Sequence, residues 1–283
     1  MEAVVLVNIY KGLFTKMEIF QYEFMRRAFL VGILLAVIIP SIGVVVVLKR
    51  LSMIGDAISH TSLAGVTFGL VFNINPILAS MIFCVLSALS IEFIRKKIAR
   101  YGEMSIAIIM SFAIGLAGLL SGFVSNNANF NSFLFGSIVA ISDFELKLVV
   151  IISIISMLIF IFLYKEIFYI TFNERLAKLS GVPVNRINFI FTILTAIVVS
   201  ISARAVGALI VSSMMVVPVA SSMQVANSYK KTIIYAVLFN LVFTVLGIFL
   251  SYYEGLKPGS TIVLISVISF VLIAVIKFFL NRK

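Results

Sequence analysis

The chain has 283 residues, 62% of them hydrophobic and only 12% charged, with a mean hydropathy of +1.22. Soluble domains carry about 45–50% apolar and about 25% charged residues, so this composition excludes a water-soluble globular fold. At about 20 residues per membrane helix, the length fits an all-α polytopic membrane protein of eight to nine spans and leaves no room for a large soluble domain.

The formal net charge is +11, from 22 Lys and Arg against 11 Asp and Glu. The basic residues sit in short loops between apolar runs. They read as the loop bias that orients membrane proteins, not as a nucleic-acid surface. Cys84 is the single cysteine, so no intrachain disulfide framework exists. The start, Met1-Glu2-Ala3-Val4, lacks the basic and apolar regions of a cleavable signal peptide, and the N-terminus is expected to be retained.

In chain order, residues 1–27 mix apolar and charged positions and predict an interfacial segment. One transmembrane domain, 28–283, follows. Span one covers about 28–48 and span two about 54–72, the latter diluted by Asp56, His60 and small residues. A turn at Asn73 to Pro76 leads into span three, 76–94, and span four is 105–124. A polar loop then runs from Ser125 to Glu145, with Phe133-Leu134-Phe135-Gly136 inside it. Span five is 147–168, and residues 171–186 form a second polar stretch. Spans six and seven are 187–203 and 206–225, with Pro218 interrupting the latter. Spans eight and nine are 232–251 and 261–280.

Loop charge sets the orientation. Fifteen Lys and Arg, around 49–50, 95–100, 165–186, 230–231 and 277–283, fall on one side, and seven fall on the other. The richer side is predicted to be cytoplasmic. The C-terminus then lies inside and the N-terminus outside.

An ionisable side chain inside a span is costly and reads as functional by default. His60 is the only histidine and follows Asp56 by four residues, so a helix presents both from one face. A carboxylate and an imidazole at that spacing can grip a divalent cation. Ser59, Thr61 and Ser62 add weak oxygen donors. The pair could equally bond to itself and brace the bundle. Two ligands make a loose site, whereas a symmetric dimer meeting there would supply four.

A second feature is the short amphipathic segment 173–181. Asn173 is an N-cap candidate, Glu174 suits the positive helix end, and Gly181 with Pro183 stops the helix. Leu176 and Leu179 share a face, with Ala177 between them and Arg175 and Lys178 flanking. It is either a solvated turn or a docking knob. Further candidates are Pro218 as a kink or gate, Arg204 as a snorkelling residue, and Glu254 with Lys257 as an outer docking loop. The chain contains no phosphate-binding Gly-x-x-x-x-Gly-Lys-Ser/Thr loop, so it cannot hydrolyse ATP itself.

The run Leu48-Lys49-Arg50-Leu51-Ser52-Met53-Ile54-Gly55-Asp56-Ala57-Ile58-Ser59-His60 resembles the motif of membrane permeases in ATP-binding-cassette importers for zinc, manganese and iron. Asn75-Pro76, Phe133 to Ser137, Phe172 to Gly181, Val206 to Ser212, Pro218 and Pro258 to Val263 match that family in order and spacing. The resemblance implies a cobalamin-importer-like helical fold and a homodimer in the cell membrane. It also implies two separate cytoplasmic ATPase subunits and an extracytoplasmic metal-binding protein. By the same resemblance Asp56 and His60 line the metal pathway, and the 173–181 segment is the ATPase coupling helix. No resident cofactor is implied, because the divalent ion is cargo. The competing readings are an iron-chelate or cobalamin-type permease and a gradient-driven transporter without an ATPase.

Overall fold

The structure, a computed structural model, describes residues 19, 21–97, 102–124, 136, 138 and 141–280. The described residues form eleven helices. In chain order these are α1 Glu23–Leu48, α2 Ile54–Val71, α3 Pro76–Lys97, α4 Gly102–Ser121, α5 Asp143–Phe162, α6 Tyr164–Phe172, α7 Glu174–Leu179, α8 Val184–Val206, α9 Ala208–Val225, α10 Tyr229–Glu254 and α11 Pro258–Leu280.

By length and composition, seven of these can cross a membrane among the described residues: α1, α3, α4, α5, α8, α10 and α11. The expected spans two and seven fall on α2 and α9, which lie outside that set. Two other expectations change. Helix α1 begins at Glu23, inside the segment expected to lie on the interface; residues 1–18 and 20 of that segment fall outside the described residues. Span five is two helices, α5 and α6, which meet at Leu163.

Helices α2, α3, α4 and α8 pack together, α1, α9, α10 and α11 pack together, and α9 bridges the groups by lying against α2 as well as α1. Helices α1, α2 and α8 carry the most buried residues. Helix α11 exposes apolar side chains such as Leu264, Leu272 and Ile276, as a lipid-facing helix should.

Apolar surroundings demand that every polar group find a partner. Pro40, inside α1, cannot donate to the Ala36 carbonyl, and fully buried Asn240 of α10 supplies the missing donor from Nδ2 at 3.3 Å. Buried Thr61, Thr67, Thr195 and Ser202 turn their hydroxyls back to carbonyls of their own helices. Between α2 and α3, Asn75 caps α3 by accepting from the amides of Ile77 and Leu78 at 3.0 and 3.3 Å, with Pro76 as the first helical residue.

The charged residues separate to two ends. At one, Arg27 of α1 pairs with Glu23 and Asp143, and Arg204 of α8 pairs with Glu145 of α5 at 2.6 Å. At the other, Lys49, Glu92, Arg95, Lys96 and Glu174 converge. This is the partition read from the loops.

Candidate functional site

Helix α2 is buried on all sides along most of its length. From Ile54 to Thr67, only Asp56 and His60 remain partly uncovered. They are four residues apart and form one narrow strip. Neither takes part in a hydrogen bond or an ion pair among the described residues, so the bracing pair allowed by spacing alone is not formed. Thr61 and Ser62 face away into the bundle, where Thr61 Oγ1 donates to the Ala57 carbonyl at 2.8 Å and Ser62 Oγ lies 3.4 Å from Ser80 Oγ. The sequence suggested both as weak oxygen donors, but neither flanks the strip. Ser59 Oγ is buried without a partner among the described residues.

The strip lies level with the middle of α3. The Ile58 carbonyl accepts from Cys84 Sγ at 3.4 Å. Cys84 is eleven residues, or about 16 Å, along α3 from Arg95. Beside the strip runs a face of small residues on α9: Ser212, Ser213, Val216, Val217 and Ala220 are only half-buried. The two faces adjoin because Gly55 has no side chain. A Cβ there would fall 2.3 Å from Met215 Cε and 3.5 Å from Ser212 Cβ. Helix α9 continues unbroken through Pro218, so the expected interruption is absent. No group of three or more His, Cys, Asp or Glu that could hold a metal occurs among the described residues. One chain therefore offers two strong donors on this strip.

At the charged end, α7 matches the expected short helix. Asn173 Oδ1 accepts from the amides of Arg175 and Leu176, both at 3.0 Å. The C-terminus closes with Val182 N donating to the Ala177 carbonyl and Gly181 N to the Lys178 carbonyl, with Gly181 at φ +84. Ala177 is buried and anchors the helix, while Leu176 and Leu179 are 60% and 78% exposed. A cleft lined by Lys96, Arg175, Lys178 and Arg186 lies alongside. This is an apolar knob beside a cationic cleft.

Glu174 reaches inward. Its Oε1 accepts from Asn188 Nδ2 at 2.7 Å and lies 3.5 Å from Lys49 Nζ and 3.9 Å from an Arg95 guanidinium nitrogen. Lys49 Nζ also donates to Asn188 Oδ1 at 2.8 Å, and Arg95 grips Glu92 at 2.8 and 3.0 Å. Burial lowers the pKa of Lys49, against the opposing pull of Glu174. For Glu174, burial works to raise the pKa, but Asn188, Lys49 and Arg95 outweigh it and hold the carboxyl below its usual range.

Two features escaped the sequence reading. Glu145, assigned there to a loop, belongs to the first turn of α5 and forms a capping box with Ser142. The Ser-x-x-Glu spacing at 142–145 is the signal that marks it. Its other oxygen pairs with Arg204, so Arg204 has an ionic partner and does not merely snorkel. Glu254 ends α10 and, with Lys257, lies on an exposed turn at the Arg204 end. Phe133, Leu134, Phe135 and Ser137 fall outside the described residues. Gly136 is described and packs against the α8–α9 break: a Cβ on it would sit 2.2 Å from Gly207 N.

A bundle of apolar helices long enough to cross a membrane, with one acid–imidazole strip on an otherwise buried helix, has the build of a polytopic membrane protein. The chain belongs to the ABC 3 transport family, whose sequence model matches residues 21–277. It is 33% identical to a "Probable metal transport system membrane protein" of Treponema pallidum (strain Nichols), over 89% of this chain and 95% of that protein. It is 27% identical to the manganese transport system membrane protein MntC of Listeria monocytogenes, over 88% and 89% of the two chains. The high-affinity zinc uptake system membrane protein ZnuB of Haemophilus influenzae is likewise 27% identical, over 89% and 97%. Among solved structures, PsaBC from Streptococcus pneumoniae superposes with a TM-score of 0.80 at 26% identity, covering 95% of each chain. The chain is thus a membrane permease subunit and not itself an enzyme.

Proposed function

We propose that this permease imports a divalent first-row transition metal ion, with Asp56 and His60 as its transit site. The observation that carries the proposal is their isolation: they are the uncovered residues of an otherwise buried stretch of α2 and are unpaired among the described residues. An unpaired carboxylate facing lipid costs a few kcal/mol at least, so the strip calls for a cover. A second copy of the chain, docked along the small-residue face of α9, would cover it and bring two carboxylates and two imidazoles together. These replace part of the ion's water shell, which a bare cation crossing hydrocarbon cannot shed unaided.

Two cytoplasmic ATPase subunits supply the work in this reading. Each receives Leu176 and Leu179 of α7, with Asn173, Glu174, Arg175, Ala177, Lys178 and Gly181 shaping and orienting that helix. An extracytoplasmic metal-binding protein docks near Glu254 and Lys257 and delivers the ion. Pro218 weakens α9 beside the transit site and gives it a place to flex as the gate opens. The protein lies in the cell membrane with its C-terminus in the cytoplasm. Carboxylate and imidazole suit manganese, zinc and ferrous iron alike, and relatives of equal identity carry manganese and zinc in their names.

The test is uptake of manganese, zinc and ferrous iron by cells expressing His60→Ala or Asp56→Ala at normal membrane levels. Uptake of the physiological ion is expected to collapse in both variants. Unchanged uptake of all three ions would overturn the reading.

A further inference from the structure

The transit strip and α7 lie at different depths, and the structure holds a covalent and ionic route between them. Helix α1 ends in a tight corner. Leu51 N donates to the Val46 carbonyl at 2.9 Å and Arg50 N to the Val47 carbonyl at 3.0 Å, with Arg50 at φ +58. This closure is the one usually made with glycine. A non-glycine residue there carries a penalty of roughly 1–2 kcal/mol. The corner is held from its far side as well: Ile54 N donates to the Leu51 carbonyl at 2.9 Å, and α2 starts at once. No slack separates Lys49 from Asp56, seven residues on.

Lys49 is in turn held from outside its own helix. Its side chain is only 10% exposed, and both of its polar partners, Asn188 and Glu174, come from elsewhere in the fold. Asn188 is a relay. It is buried, it accepts from Lys49, and it donates to Glu174 at 2.7 Å. Arg95 ties the same carboxylate to the end of α3 while gripping Glu92. A small cavity of about 20 Å³, lined by Lys49, Leu51, Ile54, Arg95, Asn188 and Thr192, lies beside the corner. Surface ion pairs contribute little, but here a buried amide joins the charges and fixes their geometry.

We propose that Glu174, Asn188 and Lys49, with Arg95, form a latch that carries displacement of α7 through the rigid α1–α2 corner to Asp56 and His60. The residues are positioning residues: none touches the transported ion. The proposal rests on the preceding reading, which supplies the ATPase that moves α7 and the ion that Asp56 and His60 hold. What it adds is the path between them. When α7 moves with the nucleotide subunits, Glu174 pulls on Lys49 through Asn188, and the start of α2 turns with it.

The experiment measures ions imported per ATP hydrolysed by the full complex in proteoliposomes, with manganese and zinc tested separately. Lys49→Met and Asn188→Leu lie away from the exposed knob of α7. Both are expected to co-purify with the ATPase and hydrolyse ATP, while the import ratio falls about tenfold, within the usual range of coupling energies. The charge-reversed pair Lys49→Glu with Glu174→Lys is expected to recover the ratio, which a merely structural role would not produce. A wild-type ratio in both single variants, or a reversed pair no better than Lys49→Met alone, would overturn the latch. Failure of the underlying reading looks different: His60→Ala would import normally, or the wild-type chain would hold no ATPase.

Discussion

The two ends of the bundle are closed by different means. At the Arg204 end, backbone meets backbone: Gly136 lies against Gly207, and a Cβ on Gly259 would fall 2.5 Å from the Val206 carbonyl oxygen. At the Glu174 end, the contacts are long polar side chains that meet through one amide. Packed backbone has one arrangement, whereas ionic side-chain contacts can break and re-form at modest cost. One end is therefore suited to stay shut until its helices move as bodies, and the other to follow a moving partner. The most buried ion pair at the packed end, Glu145 with Arg204, is much less exposed than Glu174, with side chains 9% and 20% exposed.

Several substitutions separate the ends, taken from the largest expected effect to the smallest. Glu145→Leu leaves Arg204 without its carboxylate and should cost about 3–5 kcal/mol, read as a lowered unfolding midpoint in detergent. Pairing it with Arg204→Met should recover part of that loss. Gly136→Ala drives a methyl into the α8–α9 break at a positive φ and should cost about 2–3 kcal/mol by the same measurement. Asn240→Leu orphans the carbonyl opposite Pro40 and should cost about 1–3 kcal/mol. At the polar end effects on stability shrink. Glu174 has a folded pKa below its unfolded value, so its stabilisation is complete at neutral pH and disappears as pH falls through that lowered value. Because the side chain is 46% exposed, acid titration of wild type against Glu174→Gln should differ by less than about 1 kcal/mol.

The elements that meet at each end were legible in the sequence, but not how they meet. Apolar run length gave the helices to within a few residues, because a span must match the bilayer. Asn173, Gly181 and Asn75-Pro76 announced their turns through local chemistry that acts over three or four residues. Asp56 and His60 stood out because charge is rare in hydrocarbon. What sequence could not supply was pairing across the bundle. Lys49 meets Asn188 from 139 residues away, and Asn240 meets Ala36 from 204; no periodicity encodes such meetings. The α5–α6 break escaped for another reason: apolar residues resume at Ile167 and Phe168 after Lys165 and Glu166, so the run reads as continuing past Leu163. Likewise Thr61 and Ser62 looked like metal donors until the helix rotation turned them inward.

The central claim is that the Asp56–His60 strip faces its counterpart in a second copy. Replacing Cys84 by serine and His60 by cysteine places one thiol per chain on that strip, and a short bifunctional thiol reagent applied to membranes then reads the distance between copies. A covalent dimer is expected, with none formed from the same background carrying cysteine at lipid-facing Leu272. Monomer alone from the His60→Cys chain, with the thiol proven reactive, would contradict the account.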